Sequence, residues 1–197
     1  MADLDAQRAS VIGTGLIGGS VGLALRAQGW HVTGVDADAS AAERAVELGA
    51  IDAVGLDASA TITFVAAPVS AIPTEVRRAL AHTAGAVTDV GSVKGSVVAE
   101  IDDPRFIGGH PMAGSEQLGV EGATADLFEG AVWVLTPVTG TGSDHFATVD
   151  AVVCTLVLCT VEDPGQILRE VRRVLKPGGK FYFLEHVAAA RGSGLRR

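Results

Sequence analysis

Lysine, tyrosine and cysteine are scarce in this chain: three, one and two among 197 residues. No apolar run approaches the ~20 residues that span a bilayer. The longest, Ala151 to Val161, is interrupted by threonine and cysteine, so no membrane partner is expected. Met1 to Ser10 is polar and acidic, unlike a secretory leader, and a cytoplasmic location is expected. Cys154 and Cys159 lie five positions apart. On one strand they would face opposite sides and could not pair, so they read as reduced core residues. Positive charge is also short, with 15 Lys and Arg against 23 Asp and Glu. The net of −8 argues against a nucleic-acid partner, because phosphate binding needs clustered Lys and Arg.

What is present is a globular composition, with 48% apolar and 19% charged residues. The length suffices for one sizeable core, or for one domain and a fragment of another. Charge is unevenly spread: residues 1–143 carry a net of −10 and residues 144–197 a net of +2. Both cysteines, Tyr182, Lys176 and Lys180 fall in the second stretch.

Short β-branched runs alternate with helical patterns. Strands are expected at Arg8 to Ile12, His31 to Val35, Thr61 to Ala66, Ala86 to Val90, Phe106 to Gly108 and Ala131 to Leu135. A helix is expected from about Ile17 to Gln28, stopped by Gly29. A capping box, Ser40-Ala41-Ala42-Glu43, opens a second that ends near Gly49. Pro73 sits in the first turn of a third, which runs to about Ala81. Continuous apolar strands separated by helices indicate a parallel sheet covered on both faces. The fold class is therefore α/β, a Rossmann-like doubly wound and mostly parallel sheet over residues 1–137. Residues 138–147 read as a linker or junction, rich in Gly and Thr. Over 148–188 a further βαβ unit is expected: a strand Ala151 to Leu156, a helix opened by Asp163-Pro164, and a strand Lys180 to His186. The tail, 189–197, reads as disordered.

Gly13-Thr14-Gly15-Leu16-Ile17-Gly18 follows the first strand and opens the first helix. In such a loop Gly13 permits the tight turn, Gly15 lets a pyrophosphate approach the backbone, and Gly18 lets the helix pack on the sheet. Leu16 and Ile17 begin the helix, whose free N–H groups and dipole favour phosphate. Asp36 ends the second strand, where it would hydrogen-bond ribose hydroxyls and repel a 2′-phosphate. No Arg or Lys lies between Asp36 and Glu43. NAD is therefore favoured over NADP.

Three later segments end strands on the side where such sheets bind ligands: Ala66-Ala67-Pro68-Val69, Asp89 to Gly95, and Gly108 to Glu116. His110, between Gly-Gly and Pro, lies on a rigid loop that a ligand can approach closely.

VIGTGLIGGS (11–20), FVAAPVSAIP (64–73), TDVGSVKG (88–95), GGHPMAGSEQLGVEGA (108–123) and LFEGAVWVLTP (127–137) together resemble the nucleotide-binding domain of the prephenate dehydrogenase family, with its arogenate relatives. The resemblance implies NAD-dependent oxidative decarboxylation of prephenate to 4-hydroxyphenylpyruvate, in tyrosine and aromatic amino acid biosynthesis. A base takes the 4-hydroxyl proton, C4 gives a hydride to NAD, and carbon dioxide leaves as the ring becomes aromatic. By resemblance His110 is the base. Ser92 hydrogen-bonds near it, Ser115 and Glu116 border the substrate pocket, and Pro68 and Val69 lie under the cofactor. Lys94 and Glu116 read equally as a helix-start ion pair or solvated charges. In that family a helical domain follows and supplies the dimer interface and the carboxylate-binding groups. Its pattern does not follow Pro137, which leaves oligomeric state open.

Residues 144–188 resemble instead the second half of class I S-adenosylmethionine-dependent methyltransferases, including the Leu175-Lys176-Pro177-Gly178-Gly179 turn. The charge change near residue 143 agrees with a junction of two origins. Three readings follow: a prephenate dehydrogenase, an NAD-binding module without turnover, and a fragment of a methyltransferase.

Overall fold

The structure, a computed structural model, describes residues 7–136, 151–155 and 180–184. Its elements in chain order are β1 Arg8–Ile12, α1 Leu16–Ala27, β2 His31–Val35, α2 Ala39–Glu47, β3 Ala53–Val54, β4 Ile62–Val65, α3 Ile72–His82, β5 Ala86–Asp89, α4 Gly95–Glu100, β6 Phe106–Pro111, β7 Trp133–Thr136, β8 Ala151–Thr155 and β9 Lys180–Leu184. Seven strands form one sheet in the order β3-β2-β1-β4-β5-β6-β7. Every neighbouring pair is parallel except β6 and β7, which run antiparallel with His110 opposite Val134. The expected doubly wound, mostly parallel sheet is thus present.

The core explains the strand sequences. Four of the five residues of β1 and all four of β5 are buried, as strands covered on both faces require. On one face Val21 of α1 and Ala45 of α2 pack on Val11 and Val32. On the other, Ile72, Val76 and Ala79 of α3 and Val97 of α4 enclose Val65, Val87 and Phe106. Phe106 is fully buried, which contributes about 1.5–3 kcal/mol by hydrophobic transfer.

Some local expectations change. The cap of α2 is Asp38, whose carboxylate accepts from the Ser40 N–H at 2.9 Å. Ser40 therefore sits inside the first turn and does not cap it, because aspartate caps as well as serine and comes first. Strand β6 runs on to Pro111, so His110 lies on a strand and not on the loop after it. Strand β3 and helix α4 add to the expected set. Strands β8 and β9 pair in parallel as a separate two-stranded sheet, the pairing a βαβ unit would make. The expected junction at 138–147, the helix opened by Asp163-Pro164, Cys159 and the tail lie outside the described residues.

One partly buried cluster ties the connection before β4 to β1. Asp57 accepts from Arg8 Nε at 2.5 Å and from the Ser59 N–H and hydroxyl at 2.9 and 2.7 Å. Burial pushes the Asp57 carboxyl up, but these hydrogen bonds and the Arg8 charge outweigh it and hold it below its ordinary 3.8. A depressed folded value gives stability that is present above the unfolded value and lost as pH falls through the folded one. Asp57→Asn is therefore expected to lower the unfolding free energy by about 1.5–3 kcal/mol at neutral pH. The gap to the parent should close in denaturant titrations carried below about pH 4.

Candidate active site

In this strand order the chain reverses direction across the sheet between β1 and β4, and ligands bind outside the C-terminal ends there. Gly13 lies just past β1 with φ +92°, and its N–H donates to the Val35 carbonyl at 2.8 Å. A Cβ on Gly13 would stand 2.4 Å from the Ala66 oxygen, so the loops after β1 and β4 touch. A Cβ on Gly18 would stand 1.8 Å from the Gly13 oxygen, so the first turn of α1 is folded onto the loop. Gly15 differs, because a Cβ there meets nothing within 4 Å. Helix α1 starts at Leu16 and Ile17 with no side-chain cap and no acidic residue in its first turn. Open space beside Gly15 and unused helix N–H groups are what a pyrophosphate needs. These residues fit a dinucleotide.

Asp36 follows β2 and is half-buried. Its Oδ2 accepts from the Thr14 N–H at 2.7 Å and the Thr14 hydroxyl at 3.2 Å, and its Oδ1 accepts from the Asp38 N–H at 3.0 Å. The carboxylate expected to meet a ribose therefore also fixes the glycine turn. Thr14, fully buried, is its partner. In the sequence the one sign of this role is a hydroxyl between two loop glycines.

Pro68 and Val69 are exposed in the loop after β4, on the same edge of the sheet. Ser92 follows β5 and is exposed, while His110 is the penultimate residue of β6 and half-buried. No hydrogen bond among the described residues joins the two, and none engages the His110 ring. What links their segments is Asp89, which is completely buried. Its Oδ2 accepts from the Gly91 N–H at 3.0 Å and its Oδ1 from the Gly109 N–H at 3.0 Å. Lys94 Nζ donates to the same Oδ2, so Lys94 forms the helix-start ion pair, with Asp89 and not with Glu116. Burial holds the Lys94 ammonium below its ordinary value, against the upward pull of Asp89. Ser115 and Glu116 lie exposed after β6, and Ser115 Oγ accepts from the Gln117 N–H at 3.2 Å. No hydrogen bond among the described residues brings them to His110 or Ser92.

The segment beyond them returns over α1. The Thr124 N–H donates to buried Ser20 Oγ at 3.0 Å, and a Cβ on Gly19 would touch Val120 and Ala123 at 3.1 and 3.0 Å. Among the described residues no helix is long and apolar enough to cross a membrane, and no cluster of His, Cys, Asp and Glu could hold a metal.

This fold and this edge define a Rossmann-like dinucleotide-binding domain. The family model described as prephenate dehydrogenase, nucleotide-binding domain, matches residues 21–160, and the chain belongs to that family. That match begins past the glycine loop, so the loop geometry is independent support. Prephenate dehydrogenase of Bacillus subtilis (strain 168) is 39% identical over 142 residues, which are 64% of this chain and 38% of that protein. The crystal structure of prephenate dehydrogenase from Aquifex aeolicus in complex with hydroxyphenyl propionate and NAD+ aligns with TM-score 0.66 and 26% identity, covering 93% of this chain and 61% of that one. The chain thus spans less than two fifths of the Bacillus protein. A second model, the ubiE/COQ5 methyltransferase family, matches residues 139–191. Human thiol S-methyltransferase TMT1A is 71% identical over 42 residues, 21% of this chain and 17% of that protein. The two family matches overlap over 139–160.

Proposed function

We propose that the chain acts as an NAD-dependent prephenate dehydrogenase, turning prephenate into 4-hydroxyphenylpyruvate and carbon dioxide. The observation that carries this is His110: half-buried, free of any hydrogen-bond partner among the described residues, at the end of the strand beside Asp89 and Ser92. NAD+, when bound, supplies the acceptor for the hydride that leaves C4. Gly13, Gly15, Leu16, Ile17 and Gly18 would hold its pyrophosphate, Asp36 its ribose, and Pro68 and Val69 its nicotinamide side. His110 accepts the proton of the substrate 4-hydroxyl. Ser92 donates a hydrogen bond that orients that hydroxyl, and Ser115 and Glu116 border the substrate. Asp36 selects NAD+ by charge, since a 2′-phosphate would face its carboxylate.

A specific observation favours a second reading, an NAD-binding module without turnover. Every Lys and Arg within 7–136 is paired with a carboxylate: Arg8, Arg26, Arg44, Arg77, Arg78, Lys94 and Arg105. None is spare for the two carboxylates of prephenate, whose binding energy would serve to orient it. The two readings separate in one pair of measurements. NAD+ at about 100 times its Kd is expected to add about 2.7 kcal/mol to the unfolding free energy, with NADP+ adding much less. NADH should then form on addition of prephenate. NAD+ stabilisation without NADH at millimolar prephenate would leave the binding module. Stabilisation by S-adenosylmethionine and not by NAD+ would overturn both.

A further inference from the structure

Asp89 is a completely buried carboxylate to which the proposed chemistry assigns no part. It joins two segments that are far apart in sequence. One oxygen accepts from Gly91, next to Ser92; the other accepts from Gly109, next to His110. The strands are pressed together around it: a Cβ on Gly109 would stand 2.5 Å from the Asp89 carbonyl and 2.6 Å from Thr88 Oγ1. A Cβ on Gly91 would stand 2.4 Å from Ile72 Cδ1 and 3.1 Å from Asp89 Oδ2. Among the described residues the only cation on the carboxylate is Lys94, whose side chain is 12% exposed.

We infer that Asp89 is a positioning residue that sets Ser92 and His110 in register, and that Lys94 is its counter-ion and not a contact for substrate. The inference rests on the reading of His110 as the base. An asparagine at 89 can accept at one of the two N–H groups but presents its own NH2 to the other, so one tie must open. Opening it lets Gly91 or Gly109 drift, and the adjacent Ser92 or His110 with it. Lys94 without Asp89 is a largely buried charge with no counter-ion among the described residues, and Asp89 without Lys94 is a completely buried charge left with its two N–H donors. Removing both charges removes that conflict.

The test uses the full chain and the variants Asp89→Asn, Lys94→Met and the double variant. In Asp89→Asn the NAD+ Kd should stay near the parent's, since the glycine loop is held by Asp36. The His110 ring cross-peak in a 1H–13C NMR spectrum should move or broaden. Where the parent turns over, kcat should fall by about 100-fold, as for a misplacement near 1 Å, with KM for prephenate little changed. The double variant should unfold at a higher denaturant concentration than Lys94→Met, since it leaves neither charge without its counter-ion. An unmoved His110 signal in a folded, NAD+-binding Asp89→Asn overturns the positioning role. A double variant no more stable to denaturant than Lys94→Met, with KM for prephenate raised in both, overturns the counter-ion role. Should Asp89→Asn fail to fold, the ring signal of His110 in Lys94→Met and in the double variant decides the same point. A parent that forms no NADH defeats the proposed activity alone, because the NMR arm still reads Asp89.

Discussion

Replacing His110 by asparagine is expected to lower kcat for NADH formation from prephenate by about 10²–10⁴-fold, the usual worth of a general base. The structure makes this a clean experiment. The His110 ring has no hydrogen-bond partner among the described residues, so its loss strands no buried group. Its backbone is held by the antiparallel pairing with Val134, which any side chain preserves. On β6 it alternates with Gly109 and Pro111 and shares the face of Phe106 and Gly108. Phe106 anchors that face in the core beneath α3 and α4. Asparagine is smaller and polar, so unfolding free energy should change by no more than about 0.5 kcal/mol. NAD+ affinity should also hold, because the glycine loop and Asp36 follow β1 and β2 and not β6. A variant that keeps kcat within tenfold of the parent would mean that the proton goes elsewhere, and His110 would lose its assigned role.

The sequence revealed the parts of this site that rest on local chemistry. The turn at Gly13, the start of α1 and the end of β2 at Val35 follow from glycine, helix period and β-branched residues within a few positions of each other. What it hid depends on contacts between distant positions. Asp89 reads as an ordinary strand-end acid until β5 and β6 are laid side by side and Gly109 donates to it. Thr14 gains meaning only when Asp36 arrives from β2. The antiparallel sense of β7 is likewise invisible, since an apolar run has the same composition in either direction. Strand β3 has two residues, and α4 has six with adjacent valines, so neither carries a full period of its pattern. The charge change near residue 143 lies within 139–160, where the two family matches overlap.

Alanine at Gly18 and at Gly15 should fail in opposite ways, although both sit in one loop. A Cβ on Gly18 would lie 1.8 Å from the Gly13 oxygen and 2.9 Å from Val11 Cγ1. Neither neighbour can give way cheaply. Gly13 is tied to Val35 through its N–H, the next residue is tied to Asp36, and Val11 is fully buried in β1. Gly18→Ala must therefore push α1 off the sheet or open the turn. The expected loss is about 3 kcal/mol or more of unfolding free energy, at the upper end for overpacking, together with NAD+ binding. Gly15 has φ −68° and ψ −158°, which alanine can adopt, and a Cβ there meets nothing within 4 Å. Gly15→Ala should keep the parent's stability and lose only what the open space serves. A methyl group where the pyrophosphate must approach the backbone should weaken NAD+ by at least about tenfold, or ~1.4 kcal/mol. Denaturant unfolding and NAD+ titration of both variants separate the two effects. Gly15→Ala with full NAD+ affinity would show that the space beside Gly15 is not where phosphate sits, and the assignment of the loop as a cofactor cradle would fall with it.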